Sequence, residues 1–131
     1  MSKRVLIVDD DPDIITFVVT VLEENGYSSL IAKNGEEGMA KIVEERPDLI
    51  ILDVLMPKQS GIKMYRELKG DESLEKIPVI ILSGIAKRTF LRSQEALTEF
   101  GSQSVPEPDA YIEKPVEPEE LVETIKKLII E

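Results

Sequence analysis

Asp9 and Asp10, Asp53, Ser83 and Lys114 share one feature: each stands directly after a short apolar run, RVLIV, LIIL, PVIIL and AYIE respectively. Runs of four or five branched apolar residues read as strands buried on both faces, the kind found in parallel sheets. If the sheet is parallel, all four termini lie along one edge, the C-terminal edge at which open α/β sheets bind ligands. Three carboxylates gathered there would repel one another by about 4 kcal/mol per pair at ~4 Å and an effective dielectric of ~20, so they need a cation. An all-oxygen donor set suits a hard ion such as Mg²⁺, which takes one or two carboxylates together with waters and phosphate oxygens. Ser83 could donate to one oxygen of an incoming anion, and Lys114 could meet another as a point charge. One acid then stays free as a nucleophile. A carboxylate attacking phosphorus gives an acyl phosphate, with metal and lysine neutralising charge on the equatorial oxygens. Each residue also has a plainer reading: Asp53 as a turn acid, Asp9 and Asp10 as helix caps beside Asp11, Ser83 as a turn serine before Gly84, and Lys114 as a solvated lysine.

The elements that would position these groups alternate along the chain. After the strand Arg4 to Val8, Pro12 opens a helix in which Ile14, Phe17, Val18, Val21 and Leu22 recur at helical spacing until Asn25-Gly26. Tyr27 to Ala32 is a second strand, Asn34-Gly35 a turn, and Glu36 to Glu45 a helix with acids in its first turn, closed by Pro47. The strand Leu49 to Asp53 follows. Gly61 to Lys69 is a helix with Ile62, Tyr65 and Leu68 inward, Pro78 to Leu82 a strand, and about Lys87 to Phe100 a helix. Gly101 to Asp109 is the one linker-like stretch. Ala110 to Glu113 is a fifth strand, and Glu119 to Ile130 a last helix with Leu121, Ile125, Leu128 and Ile129 on one face. Five strands alternating with five helices imply an α/β domain, a parallel sheet with helices on both faces.

Composition narrows the function classes. A chain of 131 residues, 42% hydrophobic and 32% charged, reads as one folded domain over residues 1–131. Its longest apolar run, IPVIIL, is too short to span a bilayer. MSKR followed by VLIV and three acids does not read as an export signal. The absence of cysteine fits a reducing compartment, here expected to be cytoplasmic, and a net charge of -10 argues against direct nucleic-acid binding. With no histidine, the chain has no imidazole base and carries no phosphohistidine of its own. Three acids after the first strand would repel a metal-free phosphate, against a flavodoxin-like cofactor binder or a Rossmann domain. There is no Walker loop, and Leu55 stands where a haloacid-type phosphatase would want a second acid.

In order along the chain, LIVDDDPD, LIILDVLMP with Ser60-Gly61, PVIILSG and AYIEKP resemble the receiver domains of bacterial two-component response regulators, the chemotaxis receiver among them. The resemblance covers nearly the whole chain. It implies a doubly wound, flavodoxin-like five-stranded sheet in the order 2-1-3-4-5. It implies Asp53 as phosphoacceptor, and Asp9, Asp10, Asp53 and the backbone carbonyl of Leu55 as holders of Mg²⁺. Ser83 matches the hydroxyl residue that meets the phosphoryl group, Lys114 its partner, and Tyr111 the aromatic that turns inward on activation. The Lys114-Pro115 bond falls where the family often has a cis peptide. The implied phosphoryl donor is a histidine kinase or phosphotransfer protein. The implied output is a downstream protein or a homodimer through the fourth helix, fifth strand and fifth helix. The chain would catalyse only its own phosphorylation and dephosphorylation.

Two expectations go further. The thirty residues between Ser83 and Lys114 make a long segment, expected to extend the fourth helix or form a loop that remodels the output face. Ile15 and Val19, about 100° and 140° round the first helix from Ile14, are expected to be partly exposed and to form an apolar ridge on which the donor docks.

Overall fold

A computed structural model describes residues 2–99 and 104–129, with Gln59 and Glu99 described by their backbone alone. The elements are β1 (Arg4–Val8), α1 (Pro12–Glu24), β2 (Ser28–Ala32), α2 (Gly35–Glu45), β3 (Leu49–Leu52), a 3-10 turn (Pro57–Gln59), α3 (Ser60–Gly70), β4 (Val79–Ser83), α4 (Lys87–Glu99), β5 (Ala110–Glu113) and α5 (Pro118–Leu128). All strand pairs are parallel, in the order β2-β1-β3-β4-β5. The expected end of the fourth helix at Phe100, the start of the loop at 101–103 and Ile130 of the last helix lie outside the described residues.

The period-2 alternation of each strand builds two cores. Val5, Ile7, Leu49, Ile51, Ile80, Leu82 and Ile112 point to one face and pack with Val18, Leu22, Leu121 and Ile125 of α1 and α5. Leu6, Val8, Ile50, Leu52, Val79 and Ile81 point to the other, against Ile42, Met64, Tyr65, Leu68 and Phe90 of α2, α3 and α4. A strand with helices on both sides has no solvent face, which is why LIIL is apolar throughout and buried at all four positions. Register aligns the C-terminal edge: Val8 lies opposite Leu52, Leu52 opposite Ile81, and Ser83 opposite Glu113.

Ile15 is a correction. It is only 9% exposed and belongs to the first core, while Ile14 and Val19 are partly buried beside it. Apolar residues cover about 200° of α1, from Phe17 through Val18 to Val19, because the helix packs on both the sheet and α5. The centre of that arc is Val18 rather than Ile14, so Ile15 falls inside it, and the expected exposed ridge is reduced to the edge residue Val19. In α3, Met64 takes a fully buried place while Ile62 is only partly buried.

Candidate functional site

Backbone pairing delivers the acids to the edge. The Asp9 N–H donates to the Ala32 carbonyl at 3.1 Å, and the Asp53 N–H to the Val8 carbonyl at 2.9 Å. Asp11 is the residue that caps α1, its Oδ1 accepting from the Asp13 N–H at 2.9 Å, so neither Asp9 nor Asp10 is needed as the cap. Asp9 is 2% and Asp53 4% exposed, whereas Asp10 is open to solvent. One carboxylate oxygen from each of the three lies within 4.8 Å of the other two.

Lys114 closes the cluster. The Lys114 N–H donates to the Ser83 carbonyl at 2.8 Å, which draws the end of β5 against β4, and its Nζ lies 3.2 Å from both Asp9 Oδ2 and Asp53 Oδ2. Burial pulls the ammonium toward neutrality, and the charges of Asp53 and Asp9 together outweigh it, so its pKa stands above the ordinary value. Burial, with a smaller contribution from Asp53, raises the Asp9 carboxyl, although the Asp11 N–H and Lys114 both work against the rise. The remaining oxygens are also held: Asp9 Oδ1 accepts from the Asp11 N–H at 2.9 Å and Asp53 Oδ1 from the Leu55 N–H at 2.8 Å. Two nearly buried carboxylates thus share one ammonium, and the exposed Asp10 adds a third acid on the open side. Such an oxygen-rich, anionic cluster fits a hard divalent cation, which would supply the positive charge that one lysine leaves lacking.

Ser83 is fully buried one residue beyond the level of Asp53 on the neighbouring strand; its Oγ accepts weakly from the Ile85 N–H at 3.4 Å. Leu55, whose N–H meets Asp53, has a side chain left largely in solvent, the residue being 56% exposed. Tyr111 is half-buried: its hydroxyl donates to the Ile85 carbonyl at 2.7 Å and its ring leans on Phe90. The Lys114-Pro115 bond is cis. The structure therefore brings Asp9, Asp10, Asp53 and Lys114 together, with Ser83, Leu55 and Tyr111 around them. Val19, on the flank of α1, packs partly buried against the first core.

Burial, then Glu113 and Asp53, push the Tyr111 phenol up to about 12. Folding thus favours the protonated phenol. Its stabilising share is whole below pH 10 and is lost as pH rises from 10 through about 12. Over that interval Tyr111→Phe, with no phenol to ionise, should lose less of its urea midpoint than the wild type, and Asp53→Asn should lower the phenol's ionisation midpoint in an absorbance titration. Equal losses in wild type and Tyr111→Phe would contradict the assignment.

Two features of the site had no signal in the chemistry-bearing residues. Gly61 admits α3 against the end of β3, where a Cβ would stand 2.1 Å from the Asp53 carbonyl oxygen. Lys58 holds a left-handed conformation, φ 59°, in the 3-10 turn leading to α3. The Ser60-Gly61 pair hinted at the first; the second is an ordinary lysine in sequence.

The fold and the site define a class: a doubly wound α/β domain whose reactive edge carries acids and a lysine in place of a glycine-rich phosphate loop. Comparison with known proteins narrows it. Residues 5–126 match the response regulator receiver domain family. The chain is 40% identical over 129 residues to the phosphate regulon transcriptional regulatory protein PhoB of Pseudomonas aeruginosa, covering 98% of this chain and 52% of PhoB, so it spans about half the length of that relative. It is 33% identical over 126 residues to the protein PilH of the same organism, covering 96% of this chain and 97% of PilH. Among solved structures, the signal receiver domain of a signal transduction histidine kinase from Syntrophus aciditrophicus superposes with a TM-score of 0.81 at 36% identity, covering 97% of this chain and 89% of that one. The chain belongs to the response regulator receiver domains of two-component signalling.

Proposed function

We propose that this receiver is a phosphorylation-controlled switch in which Asp53 accepts a phosphoryl group from a histidine kinase or phosphotransfer protein. The observation that carries the reading is the single ammonium of Lys114 bridging Asp9 and Asp53 at 3.2 Å each, a charge arrangement placed where an incoming phosphoryl group would need it. An oxygen of Asp53 forms a bond to phosphorus as the bond from phosphorus to the donor nitrogen breaks, and Lys114 meets the charge on the equatorial oxygens. The Leu55 N–H fixes the plane of the Asp53 carboxylate, so the nucleophile is oriented before the donor arrives. Asp9, Asp10, Asp53 and the Leu55 carbonyl would hold Mg²⁺, which when bound supplies further neutralising charge. The modified Asp53 then carries roughly -1.5 to -2 beside Ser83 and Lys114. Ser83 donates its hydroxyl to it, Tyr111 leaves the Ile85 carbonyl and turns inward, and the surface of α4, β5 and α5 changes.

That surface is the output face, read by a downstream protein or a second copy of the chain. It carries both signs: Lys87, Arg88 and Arg92 precede Glu95 on α4, Glu113 lies on β5, and Glu119, Glu120 and Glu123 precede Lys126 and Lys127 on α5. A surface of this kind complements itself about a two-fold axis. We place the switch in the cytoplasm with its kinase. Among the described residues no helix is long and apolar enough to cross a membrane.

Cation binding has a direct test. Mg²⁺ at ten times its dissociation constant should raise the unfolding free energy of the unphosphorylated protein by about 1.4 kcal/mol. Asp10→Asn should lose most of that gain without unfolding, since Asp10 is exposed and the cap of α1 is Asp11. An equal Mg²⁺ effect on the urea midpoints of both proteins would remove Asp10 from the site.

A further inference from the structure

Phe90 of α4 stands between two tyrosines. Its ring meets Tyr65 of α3 edge-on, centroids 5.7 Å apart at 77°, and Tyr111 of β5 at 5.6 Å and 48°. Each tyrosine ends on a main-chain carbonyl. The Tyr111 hydroxyl donates to Ile85, two residues past Ser83, and the Tyr65 hydroxyl donates to Pro106 at 2.5 Å, in the loop that precedes β5. Phe90 is 1% exposed and Tyr65 is wholly buried. Burial, then Asp109 and Glu107, push the Tyr65 phenol well above its ordinary range, which keeps it protonated as a donor. The far end of the loop is fastened separately: Asp109 Oδ2 accepts from the Val79 N–H at 2.8 Å and lies 3.5 Å from the buried ammonium of Lys69.

We infer that this aromatic row makes the segment Ser104 to Asp109 a second regulated surface, coupled to the phosphorylation site through Tyr111, Phe90 and Tyr65. The inference rests on the switch reading above, since it needs Tyr111 to move. When Tyr111 leaves Ile85, Phe90 loses the tilted ring that leans against it. A close-packed interior does not tolerate the void, so Phe90 repacks. A cavity of about 440 Å³ lined by Phe90, Gln94, Val105 and Pro106 gives Phe90 and the loop room to shift. Tyr65 then moves relative to Pro106, and the loop is held differently while Lys69 and Asp109 keep its end in place. Coupling is reciprocal, so a protein that grips this loop changes the phosphoryl occupancy of Asp53.

The test is hydrogen exchange of the Ser104, Val105 and Glu107 amides in the full chain, with and without excess acetyl phosphate and Mg²⁺, labelling being followed by intact mass. In wild type, phosphorylation should change the exchange of these amides at least threefold. Tyr65→Phe keeps the ring and removes the hydroxyl. It should be labelled fully, exchange faster at these amides in both states, and lose the phosphorylation-dependent difference. A phosphorylated wild type with unchanged loop exchange, or a Tyr65→Phe that keeps the wild-type ratio, would overturn the coupling while leaving the switch reading intact. A wild type that gains no phosphoryl mass would overturn both, and is seen before any exchange is measured.

Discussion

Asp53→Asn is expected to fold and to take up no phosphoryl group, from acetyl phosphate or from a phosphohistidine donor. The loss should be complete rather than partial, because no neighbouring acid can stand in. Asp9 is held as Asp53 is, with one oxygen on the Asp11 N–H and the other on Lys114, but in the proposed reading it serves the cation rather than the phosphoryl group. Asp10 lies open to solvent, and among the described residues no hydrogen bond or ion pair ties it to Lys114. An asparagine at position 53 has one carbonyl oxygen for two donors. It can accept from the Leu55 N–H or from Lys114, and the other donor then faces an amide N–H₂. A lost hydrogen bond to a charged group costs about 1.5–3 kcal/mol. Against that, the variant relieves the repulsion by which Asp53 helps to raise the Asp9 carboxyl. The opposing contributions leave stability near that of the wild type, so loss of labelling reports on chemistry. Intact-mass spectrometry decides it: one added phosphoryl group on the asparagine variant would put the acceptor elsewhere.

Legibility in the sequence followed how much of each residue's environment is set by its own strand. LIIL declares a strand buried on both faces, and a parallel sheet sends every such strand to one edge, so the meeting of Asp9, Asp53 and Lys114 could be read before any coordinates. Strand ends shifted by only one residue, with Ser83 inside β4 and Asp53 just past β3. What could not be read depends on neighbours distant in sequence. Ile15 is buried because α5 lies against α1, a contact invisible in the spacing of α1 alone. Met64 outranks Ile62 because α2 passes close enough for a Cβ on Gly38 to strike the Met64 sulfur at 2.7 Å. Tyr65 read as core, and its ring is; that its hydroxyl reaches Pro106 forty-one residues away is a property of the loop before β5.

The second large effect is expected at Gly61, where two physical rules give opposite signs. Gly61 lies in the first turn of α3, and helix propensity alone makes alanine better than glycine by about 0.8–1.0 kcal/mol. Sterics point the other way. A Cβ at this position would lie 2.1 Å from the Asp53 carbonyl oxygen and 2.7 Å from the Val54 Cα, and both obstacles are backbone that cannot rotate aside. Either the start of α3 lifts or the end of β3 moves, and overpacking of this kind costs about 1–3 kcal/mol, enough to reverse the propensity gain. Because the obstructed carbonyl belongs to Asp53 itself, the displacement reaches the proposed nucleophile. A misplacement of about 1 Å at a reacting group can cost roughly a hundredfold in rate. Gly61→Ala should therefore lower the urea midpoint and slow acetyl phosphate labelling by one to two orders of magnitude, roughly the range set by that displacement. Gly70→Ala, in the last turn of the same helix with nothing within 4 Å of its Cβ, is the control: it should be neutral or slightly stabilising and label at the wild-type rate. If Gly61→Ala behaved like Gly70→Ala, propensity would have won, and the close approach of α3 to Asp53 would not be what orients the acceptor.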